Sequence, residues 1–297
     1  MGGVTLNLRL AVLALLVGFA YPLAEWARFA ATDELQSHLL LIPVVSVYLV
    51  VLRRRELVST GETSPYWVAC WGVAGCVAAG FYLSSTLWGY PLERAESLTF
   101  STLAFVCGVL AVAGGAFGAK TLRPVAFPLG FLFCMVPIPR GVLDLFQRAL
   151  QQSSAEVLSW LFALTRIPSS REGLIFHLPG LSIEVAQECS GVRSSLVLLF
   201  TCLVAGYFFL RSPWLRAMLV AAAIPLGILR NAFRIWILAE LCLRVGPETL
   251  DSPVHHRGGP VFFVVSLVPL GLLIVALRRY EASLVPAKID SHPLHPM

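Results

Sequence analysis

The residues with the most evident chemistry lie in the segment E-V-A-Q-E-C-S-G-V-R, residues 184–193, directly before the apolar run 194–210. A polar segment that carries a cysteine at the start of a hydrophobic helix contributes little to packing. Thiolates are nucleophiles, and a helix N-terminus or a nearby cation such as Arg193 at i+4 favours them. Cys189 is therefore the candidate nucleophile. The other cysteines, expected to be small buried residues, lie in apolar helical context: Cys70, Cys76, Cys107, Cys134, Cys202 and Cys242.

A second polar group interrupts the long apolar run 215–243. Arg230, Asn231 and Arg234 have i,i+3 and i,i+4 spacing, so all three project from one helix face. If the helix enters the membrane at Arg216, Arg234 lies about 27 Å further along, near the far side of the hydrocarbon core. Such residues either extend toward the headgroups or face a polar cavity. Three on one face favour the cavity.

Two adjacent histidines, His255 and His256, lie in the loop D-S-P-V-H-H-R-G-G-P before the last apolar run. A histidine could take the proton of a thiol and later protonate a leaving amine. Arg234 could hold a developing oxyanion or a substrate carboxylate. A thiol, a guanidinium and an imidazole at one membrane surface predict acyl transfer or peptide cleavage through a thioester, without a metal or an organic cofactor.

The composition identifies the medium in which this chemistry would occur. The chain has 297 residues, of which 57% are hydrophobic and 13% charged, and its mean hydropathy is +0.79. These values exclude an ordinary soluble domain and indicate a polytopic membrane protein. The net charge of +5 comes from basic residues scattered over loops, where they report orientation and not nucleic-acid binding.

Runs of about 20 apolar residues can cross a bilayer as helices. The sequence contains eight such candidates: 8–25, 38–52, 65–84, 97–118, 122–139, 192–210, 215–237 and 260–277. The fifth contains four prolines and is expected to be kinked or re-entrant. We therefore predict an all-α membrane protein, with one integral domain over 1–280 and a short cytoplasmic tail over 281–297.

The loop charges predict the orientation. With a cytoplasmic N-terminus, the inner segments contain eleven basic residues, including Arg53–Arg55 and Arg278–Arg279, but only four acidic ones. The positive-inside rule then places both termini in the cytoplasm and 140–191 and 238–259 outside. The first apolar run could be read as a cleavable signal peptide, but seven further spans favour a retained signal anchor.

Two elements are predicted in the outer segment 140–191. Residues 140–167 have the pattern of an amphipathic helix, with Leu143, Phe146, Leu150, Val157, Leu161 and Leu164 on the apolar face and Asp144, Gln147, Arg148, Gln151 and Gln152 opposite. This helix would lie on the outer membrane surface or cover the site. The runs 174–178 and 181–185 around Pro179-Gly180 predict a β-hairpin that leads into Cys189, with His177 in a structural role.

Three blocks resemble the signature blocks of the exosortase/archaeosortase family of multi-pass transpeptidase-like enzymes. They are E-C-S-G-V-R-S-S at 188–195, N-A-F-R-I at 231–235 and H-H-R-G-G-P-V-F-F at 255–263. The resemblance covers about residues 8–280. It implies Cys189 as nucleophile, Arg234 as the essential arginine, and His255, four residues before Gly259, as the histidine. Pro260 stands where the family pattern has an aromatic residue.

The resemblance also implies the substrates and the location. Exported proteins with a short motif, a transmembrane helix and a basic tail would be cleaved at the outer face of the plasma membrane and passed to an amine or to water. The residues expected to support the site are Arg193, Arg230, Asn231, His256, Ser190 and Gly191. A transporter or export component for lipid-linked polysaccharide, and a non-catalytic membrane scaffold, are the alternatives. The sequence gives no oligomeric state.

Overall fold

The structure, a computed structural model, describes residues 2–33, 35–57, 63–87, 92–186, 191–246 and 259–284. The chain falls into two compact units, Met1–Leu145 and Phe146–Met297. Within the described ranges, six helical segments are long and apolar enough to cross a membrane, or up to eight if each of two bent pairs is one span. The protein is thus an all-α polytopic membrane protein with one small β-sheet.

The residues of the first unit that the structure describes form six α-helices and the start of a seventh. Between them lie short 3-10 helices at Ser37–Leu40, Arg54–Glu56, Arg123–Val125 and Leu132–Met135. The α-helices are α1 (Gly2–Gly18), α2 (Ala20–Thr32), α3 (Leu41–Arg53), α4 (Pro65–Leu87), α5 (Arg94–Phe117), α6 (Ala126–Phe131) and α7 (Arg140–Leu164).

The first predicted span is broken. Helices α1 and α2 meet at an angle of 59° on either side of Phe19, and α2 continues to Thr32 instead of ending near residue 25. Pro22 explains the break, because it has no N–H to donate to Gly18 and its ring clashes with that carbonyl.

Helix α4 is apolar on all sides and packs mainly on α5. Two of its residues, Cys70 and Cys76, are exposed on the protein surface, so the prediction that they are buried was wrong. A helix that is apolar all round is suited to face lipid on the sides that protein does not cover. Close packing on α5 requires Gly114, where an added Cβ would lie 2.0 Å from Cδ1 of Trp67.

The proline-rich fifth candidate is not a continuous helix. Its backbone passes through two 3-10 turns and the six residues of α6, which leaves several carbonyls without helical partners. Side chains of other helices supply them: Trp26 Nε1 donates to Met135 O at 2.9 Å, Ser46 Oγ to Pro128 O at 2.6 Å and Thr99 Oγ1 to Pro137 O at 2.8 Å. Irregular backbone at membrane depth is tolerated when protein groups satisfy it in this way.

Gln36 makes two hydrogen bonds to this segment. It is 1% exposed, accepts the Ile138 N–H at 2.9 Å and donates to the Ile138 carbonyl at 3.4 Å. The amide thus replaces both hydrogen bonds that a regular helix would have given Ile138.

We expect Gln36→Leu to lower the free energy of unfolding by about 1–3 kcal/mol, because it leaves a buried N–H and carbonyl without partners. Chemical or thermal unfolding in detergent measures the change. Gln152→Leu, which alters an exposed glutamine of α7, is the control and should have little effect. Equal losses in the two variants would contradict this account of Gln36.

The described part of the second unit contains the rest of α7, a three-stranded sheet and three long helices: α8 (Val192–Phe209), α9 (Pro213–Val245) and α10 (Gly259–Leu284). Helix α9 extends beyond the predicted span 215–237 at both ends, and Pro225 lies inside it without breaking it. The three helices share a core whose most buried members are Leu198, Cys202, Leu210 and Leu219. At one end, the Glu281 carboxylate accepts the backbone N–H groups of Arg211 and Ser212, which fixes α10 to the α8–α9 connection.

The predicted hairpin is confirmed. Strands β2 (Ile175–Leu178) and β3 (Leu181–Glu184) pair antiparallel across Pro179-Gly180, with Gly180 at φ +78°. A third strand that the sequence reading missed, β1 (Ser170–Glu172), pairs with β2. His177 Nδ1 lies 2.9 Å from Ser182 Oγ across the hairpin, a contact that fits a structural role.

Helix α7 is amphipathic as predicted, but the predicted faces were partly wrong. Phe146 and Leu164 are exposed, whereas Gln147 and Gln151 are buried. The face turned inward carries Ser154, Ala155, Leu158 and Phe162, and its apolar members pack on the hairpin and α9. The glutamines lie inside because they have polar partners there, so α7 covers this part of unit 2.

Candidate active site

Not all predicted site residues fall in the described part of the chain. Cys189, Ser190, His255 and His256 lie outside the described residues. Gly191, Arg193, Arg230, Asn231 and Arg234 are described, and all belong to the second unit. The local geometry can therefore be built from the residues that flank Cys189.

Helix α8 begins immediately after Gly191, two residues beyond Cys189. Gly191 adopts the left-handed conformation, with φ 70° and ψ 13°. Its carbonyl accepts the Ser195 N–H at 2.9 Å and the Ser194 hydroxyl at 3.1 Å. A residue with a Cβ pays about 1–2 kcal/mol for this conformation, so the sharp entry into α8 favours glycine.

Arg230 of α9 reaches this turn. Its side chain donates from Nη2 to Ser194 Oγ, and a longer hydrogen bond of 3.4 Å joins Nη2 to the Gly191 carbonyl. Arg230 is 9% exposed and forms no ion pair with a carboxylate among the described residues. A buried guanidinium is costly unless oxygens replace its water. The first turn of α8 provides them for Nη2, whereas the buried Nη1 has no hydrogen-bond partner among the described residues.

Asn231 lies next to Arg230 and fixes the same glycine from another side. It is 2% exposed, and its Nδ2 donates to Ser154 Oγ of α7 at 3.1 Å. An ideal Cβ on Gly191 would lie 2.8 Å from Asn231 Oδ1. The close approach leaves no room for a side chain at residue 191, and it joins α7, α9 and the start of α8.

Hydrogen bonds also anchor the chain on the N-terminal side of Cys189, at Val185. Val185 is fully buried. Its N–H donates to Leu174 O at 3.0 Å, and its carbonyl accepts Gln151 Nε2 of α7 at 3.0 Å. Residues 187–190 are thus preceded by a position anchored to α7 and followed by a position anchored to α9.

Arg234 follows Arg230 by one turn of α9. Its side chain is half-buried and its Nε is fully buried. Arg193 is exposed on the first turn of α8, while the preceding Val192 is buried. The structure brings Arg230 and Asn231 together at Gly191, and it does not bring Arg193 into this polar cluster.

Sequence reasoning missed three members of the cluster: Gln151, Ser154 and Ser194. Two of them had a usable signal. Gln151 and Ser154 are three residues apart, so they share the α7 face that also carries Ala155 and Leu158. Polar residues on an otherwise apolar face indicate a buried hydrogen-bond network.

A cleft of about 320 Å³ adjoins the cluster. Arg230 is its only charged lining residue, and Ser266 its only other polar one, among the residues that the structure describes. The remainder is apolar and comes from three helices: Val157 and Leu161 of α7, Leu226, Leu229 and Phe233 of α9, and Phe262, Val265 and Pro269 of α10. The cleft therefore joins an apolar wall to a buried cation.

Fold and site together define a class: a multi-pass membrane protein with a buried polar cluster beside the start of a transmembrane helix. The family model of the transmembrane exosortases matches residues 26–272, and the chain belongs to that family. It is accordingly a membrane protein-sorting enzyme that acts on exported proteins with sorting signals. Searches of curated proteins and of solved structures found no match.

Gly191→Ala tests the close approach of Asn231. Gly180→Ala is the matched control, because Gly180 has a similar positive φ of 78° but open space around an added Cβ. Both variants pay the backbone cost of about 1–2 kcal/mol, so only Gly191→Ala should lose additional stability through the clash. Thermal unfolding of the two proteins in the same detergent measures the difference, and equal melting temperatures would refute the contact.

Proposed function

We propose that this exosortase cleaves C-terminal sorting signals through a thioacyl intermediate on Cys189, with Arg234 and His255 as its partners. The observation that carries the proposal is the anchoring of the chain on both sides of residues 187–190. Val185 is held by Gln151, and Gly191 by Arg230 and Asn231. Anchors of this kind are what a positioned nucleophile requires.

Connectivity limits the distances involved. Two residues of chain span at most about 7 Å, so the Cα of Cys189 cannot be further than that from the Cα of Gly191. Gly191 contacts Arg230 and Asn231, and Arg234 lies one helical turn beyond Arg230, a rise of about 6 Å. A substrate carbonyl beside Gly191 would be within reach of both a thiol at 189 and the guanidinium at 234.

The proposed reaction has two steps. The Cys189 thiolate attacks the scissile carbonyl, and the resulting oxyanion is stabilised by Arg234. Collapse of the intermediate breaks the peptide C–N bond, and His255 protonates the leaving amine. The thioester is then attacked by an acceptor amine or by water, which releases the thiol. His256, Ser190 and Arg193 remain the expected supporting residues.

The apolar cleft beside Arg230 suggests how the substrate is held. A sorting signal with a transmembrane helix needs an apolar surface next to the cleavage site. The cleft supplies one on α7, α9 and α10, and it adjoins the polar cluster through Arg230. We place the first turn of the substrate helix against this cleft, with the recognition motif directed toward Gly191.

The orientation is part of the proposal. The excess of basic residues in the loops at one side supports cytoplasmic termini, so the site would face the exterior. Substrates with a basic tail on the inner side would then lie parallel to the enzyme helices, with their motif at the same surface as Cys189.

We expect Cys189→Ala to reduce processing of a substrate with motif, helix and basic tail by at least about 10⁴-fold. Arg234→Ala should reduce it by about 10²–10³-fold, because one oxyanion donor is lost. Immunoblots of substrate processing in cells that carry the variants measure both effects. Normal processing by Cys189→Ala would eliminate the proposal.

Matched controls separate chemistry from folding. Cys76→Ala changes an exposed cysteine of α4, and Arg244→Ala changes an exposed arginine near the end of α9 that pairs with Glu240. Both should process substrate normally. All variants should insert to the same extent and melt at similar temperatures. These two measurements are needed because a loss of folding in Cys189→Ala or Arg234→Ala would explain inactivity without any catalytic role.

Val265→Trp tests the cleft. The indole would fill space against α7 and α9, and we expect it to slow cleavage of the full substrate by about 10-fold or more while sparing a short peptide that contains only the motif. The ratio of the two rates is the measurement. Leu272→Trp, at an exposed position of α10 that does not line the cleft, is the control, and an equal effect of both tryptophans would argue against the cleft.

A further inference from the structure

A second cavity lies in the first unit, where no catalytic residue is assigned. Its volume is about 560 Å³, in the range of small-molecule binding sites. It is bounded by the first turns of α4, the end of α5 and the proline-rich segment that includes α6. Its floor is apolar, and Trp67, Trp71 and Phe133 form part of the wall.

The aromatic wall is ordered by contacts within the unit. Trp67 and Trp71 have ring centroids 5.9 Å apart, and Trp71 and Phe133 have centroids 5.6 Å apart. Trp67 Nε1 donates to Leu110 O at 2.9 Å, whereas the Trp71 indole has no hydrogen-bond partner among the described residues. Tryptophans near helix ends are typical of the membrane interface, where one side of the ring meets apolar chains and the N–H meets headgroups.

Two cations lie at the rim of this cavity. Lys120 and Arg123 line it and are exposed. Within the part of the chain that the structure describes, neither forms an ion pair. Arg54 and Arg55, in the 3-10 helix after α3, are exposed as well, but they are not among the described residues that line the cavity. An apolar cavity with two cations at its rim is complementary to an amphipathic ligand with an anionic head.

We propose that this cavity binds one anionic glycerophospholipid. An acyl chain fills the space between α4, α5 and α6, and the phosphate lies on Lys120 and Arg123 beside the Trp71 N–H. Basic pockets between membrane helices on the cytoplasmic side bind anionic headgroups in this manner, and this surface is the cytoplasmic one in the orientation proposed above. The lipid would brace the irregular segment 123–135 against α4 and α5.

The positive-inside rule alone would explain the charges of Lys120 and Arg123, but it would not explain the open cavity beside them. If Lys120 and Arg123 serve only to orient the chain, any basic residue of that surface would attract anionic lipid equally. A bound lipid depends additionally on the open volume. Gly130 provides the means to test this, because an ideal Cβ there has no atom within 4 Å, so that a larger side chain would enter the cavity without a clash at its base.

The test uses the full-length purified protein in neutral detergent. Phosphatidylglycerol is titrated, and bound lipid is counted by native mass spectrometry while melting temperatures are recorded. We expect one tightly retained phosphatidylglycerol, an increased melting temperature, and about 30-fold weaker binding in Lys120→Gln/Arg123→Gln. Gly130→Phe should weaken binding with no change of charge, and Arg54→Gln/Arg55→Gln should bind as the unaltered protein does.

Three results would overturn the proposal. Equal losses in Lys120→Gln/Arg123→Gln and Arg54→Gln/Arg55→Gln would indicate general surface attraction. Equal retention of phosphatidylcholine would remove the role of the two cations. If glycerol phosphate alone raised the melting temperature, and did so equally in Gly130→Phe, the site would bind an anion without using the apolar cavity.

Discussion

Taking a guanidinium out of water costs several kcal/mol unless protein oxygens take the place of the lost solvent. Arg230 is in this situation inside the second unit, and the oxygens that it reaches belong to Gly191 and Ser194. The need to satisfy one buried cation thereby fixes the first turn of α8 against α9. The same requirement fixes Gly191, which follows the candidate nucleophile Cys189 by two residues in the sequence.

The same rule governs the first unit, with neutral groups in place of a cation. Four prolines between residues 124 and 139 prevent a regular helix. Backbone groups that have no helical hydrogen-bond partner there are bound instead by the side chains of Gln36, Trp26, Ser46 and Thr99. These side chains are distant in sequence from the segment that they serve. An irregular passage through the membrane region thus forces α2, α3 and α5 to pack around it, and it leaves the apolar space next to α6.

The sequence predicted the elements of this fold better than their contacts. Apolar run lengths identified the helices, and the Pro179-Gly180 turn between two β-rich runs identified the hairpin, because both signals are local. The faces of α7 were misassigned because hydrophobic periodicity ranks Gln151 as solvent-exposed, while the carbonyl of Val185, far away in sequence, makes its burial favourable. The burial of Arg230 and Asn231 could be anticipated from their spacing along the helix. The approach of Asn231 to Gly191 could not, because it depends on how α9 packs against the start of α8.

The polar cluster contains cations and neutral groups but, among its described members, no carboxylate. Arg230 and the positive N-terminal end of α8 lie together at Gly191, and a helix N-terminus adds the equivalent of about half a positive charge. Gln151, Ser154 and Asn231 orient the backbone without neutralising that potential. An aspartate at position 231 would bring a carboxylate close to Gly191, where Asn231 Oδ1 now lies. It would also cancel the positive potential in advance, so a site left positive suits a reaction in which negative charge appears only on a thiolate and then on an oxyanion.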